Sequence, residues 1–281
     1  MGSIFDPTPT ATGWPFYRHV IFDCDSTLSR IEGIDMLASE GETQKKIVEL
    51  TDAAMSGFTA LAEIYGKRLE LICPSRQTVR ELAHRYLHDA IPHAKETVGA
   101  LRDLGCEIYI VSGGLLEPVK EFGIALGVDA RNIRAVEIEY DQLAGEWWLA
   151  DAARVDQSYL TYRHSELSES NGKAAIISDL LSDKKGASML IGDGVSDLLA
   201  RNAVDLFVGY AGVAKRDRVV SEAPVYFENN SLLPVLAMAA GSREFFRLDP
   251  SYQSACLECI RRQPPIFNRQ VMARNFFGSF L

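Results

Sequence analysis

Short, uninterrupted apolar runs recur along the chain, and several end in small or acidic residues. Val20-Ile21-Phe22 runs into Asp23-Cys24-Asp25, Ile108-Tyr109-Ile110-Val111 into Ser112-Gly113-Gly114, and Met189-Leu190-Ile191 into Gly192-Asp193-Gly194. Runs without polar alternation suit strands covered on both faces. They predict strands near 18–23, 108–111 and 188–191, with shorter ones at 206–208 and 225–227. Helical spacing fills the gaps. One helix over 94–104 stops at Gly105, one over 115–126 stops at Gly127, and one starts near Lys173 and ends before Gly186. Helices alternating with strands predict an α/β fold built on a doubly wound parallel sheet.

Two stretches break that alternation. Residues 30–91 read as helical with no strand, too large a block for a simple crossover, and are expected to form a small helical cap inserted after the first strand. Within it Ser75 is a candidate N-cap, followed by Val79, Leu82, Ala83, Tyr86 and Leu87 at helical spacing. Residues 133–149 suggest a β-hairpin turning near Asp141 and Gly145, and 150–170 are polar and resist assignment. The organisation expected is therefore a loose N-terminal arm over 1–16, a catalytic core over 17–29 and 92–241, the cap over 30–91, and a C-terminal extension over 242–281. That extension carries six arginines against three acids and several phenylalanines, and is expected to pack its aromatics on its own domain.

Composition narrows the function classes. With 281 residues, 47% hydrophobic and 24% charged, the chain suits a globular fold with a sizeable core. A formal charge of −9 argues against nucleic acid as a partner. The apolar run Leu232–Ala240 is too short to span a bilayer, so no membrane partner is expected. Five scattered cysteines and a first stretch without an apolar core of the signal-peptide kind point to the cytoplasm. Cys256 and Cys259 have CxxC spacing without a second pair, and His84 and His88 lack a third ligand, so neither pair makes a metal site. Oligomeric state is not legible.

The polar clusters carry the chemistry. Asp23 and Asp25 stand one residue apart at the mouth of an apolar strand, where acids are costly without a metal or hydrogen bonds. Ser112-Gly113-Gly114 offers a hydroxyl and unhindered amides suited to an anionic oxygen. Lys173 at a helix start opposes the helix dipole, so a negative group is expected beside it. Gly192-Asp193-Gly194-Val195-Ser196-Asp197 adds two acids after a further strand. In this order (DxDST, hydrophobic-Ser-Gly, Lys, GDGxxD) the clusters resemble the four motifs of the haloacid dehalogenase (HAD) phosphohydrolases. The following Glu32-Gly33-Ile34-Asp35 resembles an element of its phosphoserine phosphatase branch, and the resemblance runs over about 18–230.

The resemblance implies a Mg2+-dependent phosphomonoesterase. It implies that Asp23 attacks phosphorus and that Asp25 protonates the leaving alkoxide, then activates water. Mg2+ is implied at the Asp23 carboxylate, the Asp25 carbonyl and Asp193, with Asp197 in support; Ser112, Gly113 and Lys173 would hold the phosphoryl oxygens. Glu32, Met55, Arg68 and Arg216 match substrate positions, with Glu32 suited to an ammonium and Arg68 to a carboxylate. The expected partner is thus a small phosphorylated metabolite, O-phosphoserine favoured. Leu61 in place of a phenylalanine, Ser196 in the fourth motif and a longer 150–170 segment depart from the pattern. They leave open another small phosphorylated substrate. A catalytically silent binding protein on the same fold is the alternative of a different class.

Overall fold

The computed structural model describes residues 13–38, 41–55, 61–141, 157–169, 171–268 and 270–280. Among the described residues nine strands lie in chain order: β1 (Tyr17–Phe22), β2 (Glu107–Leu115), β3 (Ile133–Val136), β4 (Ile138–Tyr140), β5 (Tyr159–Tyr162), β6 (Ala187–Gly192), β7 (Leu206–Tyr210), β8 (Val225–Phe227) and β9 (Ile266–Phe267). Seven of them form one sheet in the order β3-β2-β1-β6-β7-β8-β9, parallel except for β9. The chain winds outward from β1 in one direction through β2 and β3, then returns to add β6 on the other side of β1. That reversal opens a crevice at the carboxyl ends of the strands beside β1, where open α/β sheets bind ligands.

The apolar runs are continuous because both faces of the sheet are covered. Val20, Phe22, Ile110 and Ile191 enter one buried cluster, while Ile21, Val111, Leu190 and Phe207 enter the other. Alternate residues of one strand thus feed opposite cores. Register aligns the strand ends: Phe22 pairs with both Ile110 and Ile191. The polar residues that follow each run therefore emerge at one level.

Between β1 and β2 the described residues contain no strand but five helices: α1 (Gly33–Leu37), α2 (Glu42–Met55), α3 (Leu61–Ile72), α4 (Arg76–His88) and α5 (Ala94–Asp103). The chain leaves and re-enters side by side, since Ser29 bridges Ala90 and the Ile91 amide donates to the Leu28 carbonyl at 2.9 Å. Ser75 caps α4 by accepting from the Thr78 amide, and Val79, Leu82, Ala83 and Tyr86 are buried. Leu87 of the same periodic set is 40% exposed. The remaining helices are α6 (Leu116–Leu126), α7 (Gly172–Leu181), α8 (Val195–Leu199), α9 (Asp217–Glu222), α10 (Leu233–Glu244), α11 (Pro250–Arg262) and α12 (Gln270–Phe280).

Two expectations require correction. The described strands of 133–149 do not pair with each other: β3 joins the main sheet parallel to β2, with Ile110 opposite Ile133. The alternating Ile138-Glu139-Tyr140 finds its antiparallel partner in β5, inside the polar segment that resisted assignment. Gly145, Trp147 and Trp148 lie outside the described residues. Within 1–16, expected to be a loose arm, the described residues from Gly13 on are anchored. Trp14 is buried, donates its indole N–H to the Met238 carbonyl at 2.9 Å and meets Phe276 edge-on at 5.2 Å. Phe245 and Phe276 of the C-terminal extension are fully buried, whereas Phe246 is exposed. Antiparallel β9 lies along the β8 edge of the sheet, which puts part of the extension on the core.

Candidate active site

Asp23 is the first residue past β1, and its amide donates to the Ile191 carbonyl at 2.9 Å. The chain then turns sharply. The amides of Leu28 and Ser29 both donate to the Cys24 carbonyl, and Ser26 adopts a left-handed backbone at φ 52°. Strand geometry therefore ends before the two acids, and the turn sets their orientation. Asp25 is held firmly. Its Oδ1 accepts from the Gly33 amide at 2.7 Å and from the Tyr86 hydroxyl at 2.6 Å, while Ser112 Oγ lies 3.4 Å from Oδ2. Cys24, between the acids, is a buried thiol whose pKa burial pushes up.

Lys173, in the first turn of α7, finds the negative partners its position calls for. Its Nζ lies 2.8 Å from Asp23 Oδ1 and 2.7 Å from Asp197 Oδ1. Burial alone would lower the lysine pKa, but the two carboxylates outweigh it and keep the ammonium charged. Glycine precedes the lysine for a steric reason: a Cβ on Gly172 would stand 1.5 Å from the Glu166 carbonyl oxygen. Gly192 is required in the same way, because its Cβ would meet the Asp197 side chain at 2.2 Å.

Negative charge is concentrated here beyond what the lysine offsets. Asp23, Asp193 and Asp197 are buried, and one oxygen from each lies within 4.8 Å of the others. Burial and the neighbouring Asp23 charge push Asp25 up to about 6 and Asp197 up to about 7. Asp193 is likewise raised well above its ordinary value by burial, Asp23 and Asp197. Its Oδ1 is 3.4 Å from the Thr27 hydroxyl, and its buried Oδ2 has no hydrogen-bond partner. An all-oxygen cluster with an unsatisfied buried carboxylate oxygen is the donor set a hard divalent cation takes. The residues therefore fit such a cation.

A cavity opens against these groups. Asp23, Asp25, Gly113, Gly114 and Lys173 form its floor, with Glu32 and Arg68 on its wall. Arg68 is buried; its Nη1 donates to Thr51 Oγ1 at 2.8 Å, while its Nε is unsatisfied. Glu32 accepts from Ser26 Oγ at 2.8 Å, and burial together with Asp25 and Asp193 raises its pKa well above the usual carboxylate range. Arg216 stands behind this wall. Its guanidinium lies 2.9 Å from Asp52, 3.7 Å from Glu32 and 3.6 Å from Asp193, so it braces two site carboxylates. Met55 ends α2 and Leu61 begins α3, and their side chains lie outside those described.

Sequence reading passed over several residues that the fold brings here. Tyr86 reads as a core position of α4, and only the fold shows its hydroxyl on Asp25. Leu167 and Glu169 come from the segment that resisted assignment and line the cavity, as does Ser196. Ser26 and Thr27 stood within the first motif without a role; the signal available was their hydroxyls beside two acids.

Known proteins resemble the chain in sequence and in fold. The chain is 32% identical over 225 residues to the chloroplastic phosphoserine phosphatase of Arabidopsis thaliana, covering 78% of this chain and 72% of that one. It is 31% identical over 209 residues to the phosphoserine phosphatase of Homo sapiens, covering 74% and 87%. Among solved structures, a phosphoserine phosphohydrolase-like protein from Francisella tularensis superposes with a TM-score of 0.63 at 26% identity, covering 73% of this chain and 93% of that one. A substrate-bound phosphoserine phosphatase superposes with a TM-score of 0.64 at 22% identity, covering 78% and 97%, which bears on the fold. No family model matches. Among the described residues no helix is long and apolar enough to cross a membrane.

Proposed function

Because the chain belongs to the phosphoserine phosphatase family of HAD-type phosphohydrolases, we propose that this phosphatase hydrolyses O-phospho-L-serine to L-serine and phosphate. The observation that carries the reading is the buried Asp23–Lys173–Asp197 chain, whose Asp23 and Lys173 line one cavity together with Asp25, Gly113 and Gly114. Asp23 attacks phosphorus and takes the phosphoryl group as an aspartyl-phosphate, while Asp25 gives its proton to the departing serine oxygen. Asp25, now a carboxylate, takes a proton from the water that attacks the same phosphorus and frees Asp23. Ser112 Oγ, the Gly113 amide and Lys173 hold the non-bridging oxygens, supplying fixed electrostatics where charge develops. Asp23, the Asp25 carbonyl and Asp193 would hold Mg2+, with Asp197 in support. Bound there, the ion supplies neutralisation of phosphate charge that an approaching carboxylate needs.

Substrate choice falls to the wall. Arg68 meets the substrate carboxylate and Glu32 its ammonium; the buried, unsatisfied Arg68 Nε supports an anionic partner there. Leu167 and Glu169, which also line the cavity, favour a second reading, another small phosphorylated metabolite. The five free thiols are consistent with work in a reducing cytoplasm.

The experiment is a panel of small phosphomonoesters with Mg2+. Phosphoserine should be turned over fastest, EDTA should stop the reaction and Mg2+ should restore it. No turnover of any member would overturn the reading, and a different preferred ester would select the second one. Arg68→Ala should raise the KM for phosphoserine by about 10- to 100-fold, the loss of a charge-assisted bond. It should change KM little for phosphoethanolamine, which has no carboxylate; equal effects on both would remove the amino-acid assignment.

A further inference from the structure

We propose that Tyr86 is a positioning residue for the proton shuttle: its hydroxyl, with the Gly33 amide, fixes Asp25 so that Oδ2 carries the transferable proton. The inference rests on the reading of Asp25 as general acid and base given above. Its ground is the saturation of one carboxyl oxygen. Asp25 Oδ1 accepts from Tyr86 at 2.6 Å and from Gly33 at 2.7 Å. Two donors use up the two acceptor positions of that oxygen. The peptide N–H can only donate. For Oδ1 to bear a proton, the phenol would have to turn its own proton away from the carboxyl. Among the described residues the Tyr86 hydroxyl is paired with Asp25 alone, and the ring is fully buried. A turned-away proton would be a buried donor with nothing to accept it, which is costly.

The second oxygen faces the chemistry. Ser112 Oγ lies 3.4 Å from Oδ2, and a Cβ on Gly114 would stand 2.7 Å from it. Oδ2 therefore points at the end of β2, whose Ser112 and Gly113 would hold the phosphoryl group. During phosphoenzyme formation the Asp23–P bond forms, the P–O bond to serine breaks, and the Oδ2 proton passes to the serine oxygen. In the second half Oδ2 takes a proton from water as the new P–O bond forms and the Asp23–P bond breaks. Asp25 thus starts and ends each cycle protonated on the same oxygen, with Oδ1 held throughout. Other groups facing Asp25 do not provide that hold: Asp23 acts on it through charge, Glu32 bonds Ser26, and Lys173 bonds Asp23 and Asp197. Tyr86 is anchored as a rotor cannot be. Its ring stacks on Phe122 at 5.5 Å, so the hydroxyl arrives with little freedom left.

The test compares leaving groups. A serine alkoxide needs a proton to depart, whereas 4-nitrophenolate does not. Tyr86→Phe should lower kcat/KM for phosphoserine by about 10- to 100-fold, part of the full effect of a general acid. It should leave kcat/KM for 4-nitrophenyl phosphate within about threefold. Asp25→Asn, measured alongside, should show the same selectivity more strongly. Gly33→Ala provides a second variant that keeps the phenol, because its Cβ would stand 2.0 Å from the Tyr86 oxygen and displace it. Its loss should be selective in the same direction. Each protein is assayed below its own measured melting temperature, so that loss of fold is not read as loss of alignment. Equal losses on both substrates in Tyr86→Phe, or none, overturn the proposal. If Asp25→Asn discriminates and Tyr86→Phe does not, the Tyr86 role alone fails. If Asp25→Asn does not discriminate, the acid assignment fails and the Tyr86 role falls with it.

Discussion

Asp23→Asn is expected to abolish phosphate release, by roughly 10^4-fold or more, while the protein stays at least as stable as the parent. The catalytic half follows from chemistry. An amide oxygen is a poor nucleophile, and the next carboxylate, Asp25, is held on Oδ1 by two donors and set for proton transfer instead. The stability half follows from electrostatics. Asp23 is a buried charge that raises the pKa values of Asp25, Asp193 and Asp197. Removing it relieves that repulsion, and Lys173 keeps Asp197 at 2.7 Å, so no buried cation is orphaned. Phosphate release under Mg2+ and urea unfolding, run on the same preparation, check both halves. Acid quenching during turnover should trap phosphate on the parent protein and none on the variant. Retained turnover would sink the nucleophile assignment and point to direct attack by water.

The route from sequence to this site was uneven, and the reasons are physical. The strands that carry Asp23, Ser112 and Asp193 were legible because burial on both sheet faces leaves an unbroken apolar run. Their convergence was legible too, since carboxyl ends of parallel strands meet at the reversal of strand order. Lys173 announced itself by standing where a helix dipole disfavours it, and the acids that explain it are present. Tyr86 was not legible as a site residue. Its spacing with Val79 and Leu82 reports only that the position faces inward. Which inward group meets its hydroxyl depends on how α4 packs over the turn after β1, a tertiary fact. β3 and β4 failed for a related reason: a short apolar stretch says that it pairs, not with whom. Trp14 lies among threonines and prolines, and only the aromatic pocket made with Phe267 and Phe276 shows why it is ordered.

Lys173→Met should damage both activity and fold, and the size of the second effect should depend on the metal. Without Mg2+ the variant is expected to lose roughly 3–5 kcal/mol of stability, the cost of removing one partner from a buried ion pair. The loss is large because the lysine serves two carboxylates at once, with Asp193 Oδ2 beside them already lacking a hydrogen bond. Arg216 also places a cation here, but it is 3.6 Å from Asp193 and shared with Asp52 and Glu32. The pH dependence has a definite sign. Asp197 titrates at about 7 even with the lysine present, above its ordinary value because of burial and Asp23. An acid with a raised folded pKa binds more protons folded than unfolded, so it favours folding in acid and this support is lost as pH rises. Without the lysine that rise in pKa is larger, so the deficit should be smaller at pH 5 than at pH 8. A divalent cation held by the same carboxylates supplies positive charge to the cluster. Mg2+ should therefore restore more stability to Lys173→Met than it adds to the parent, while phosphoserine turnover stays down by about 10^2-fold or more, because a donor to the phosphoryl oxygens is gone. Urea unfolding with and without Mg2+ at the two pH values reads each prediction. A metal response equal in both proteins would show that lysine and cation do not serve the same carboxylates.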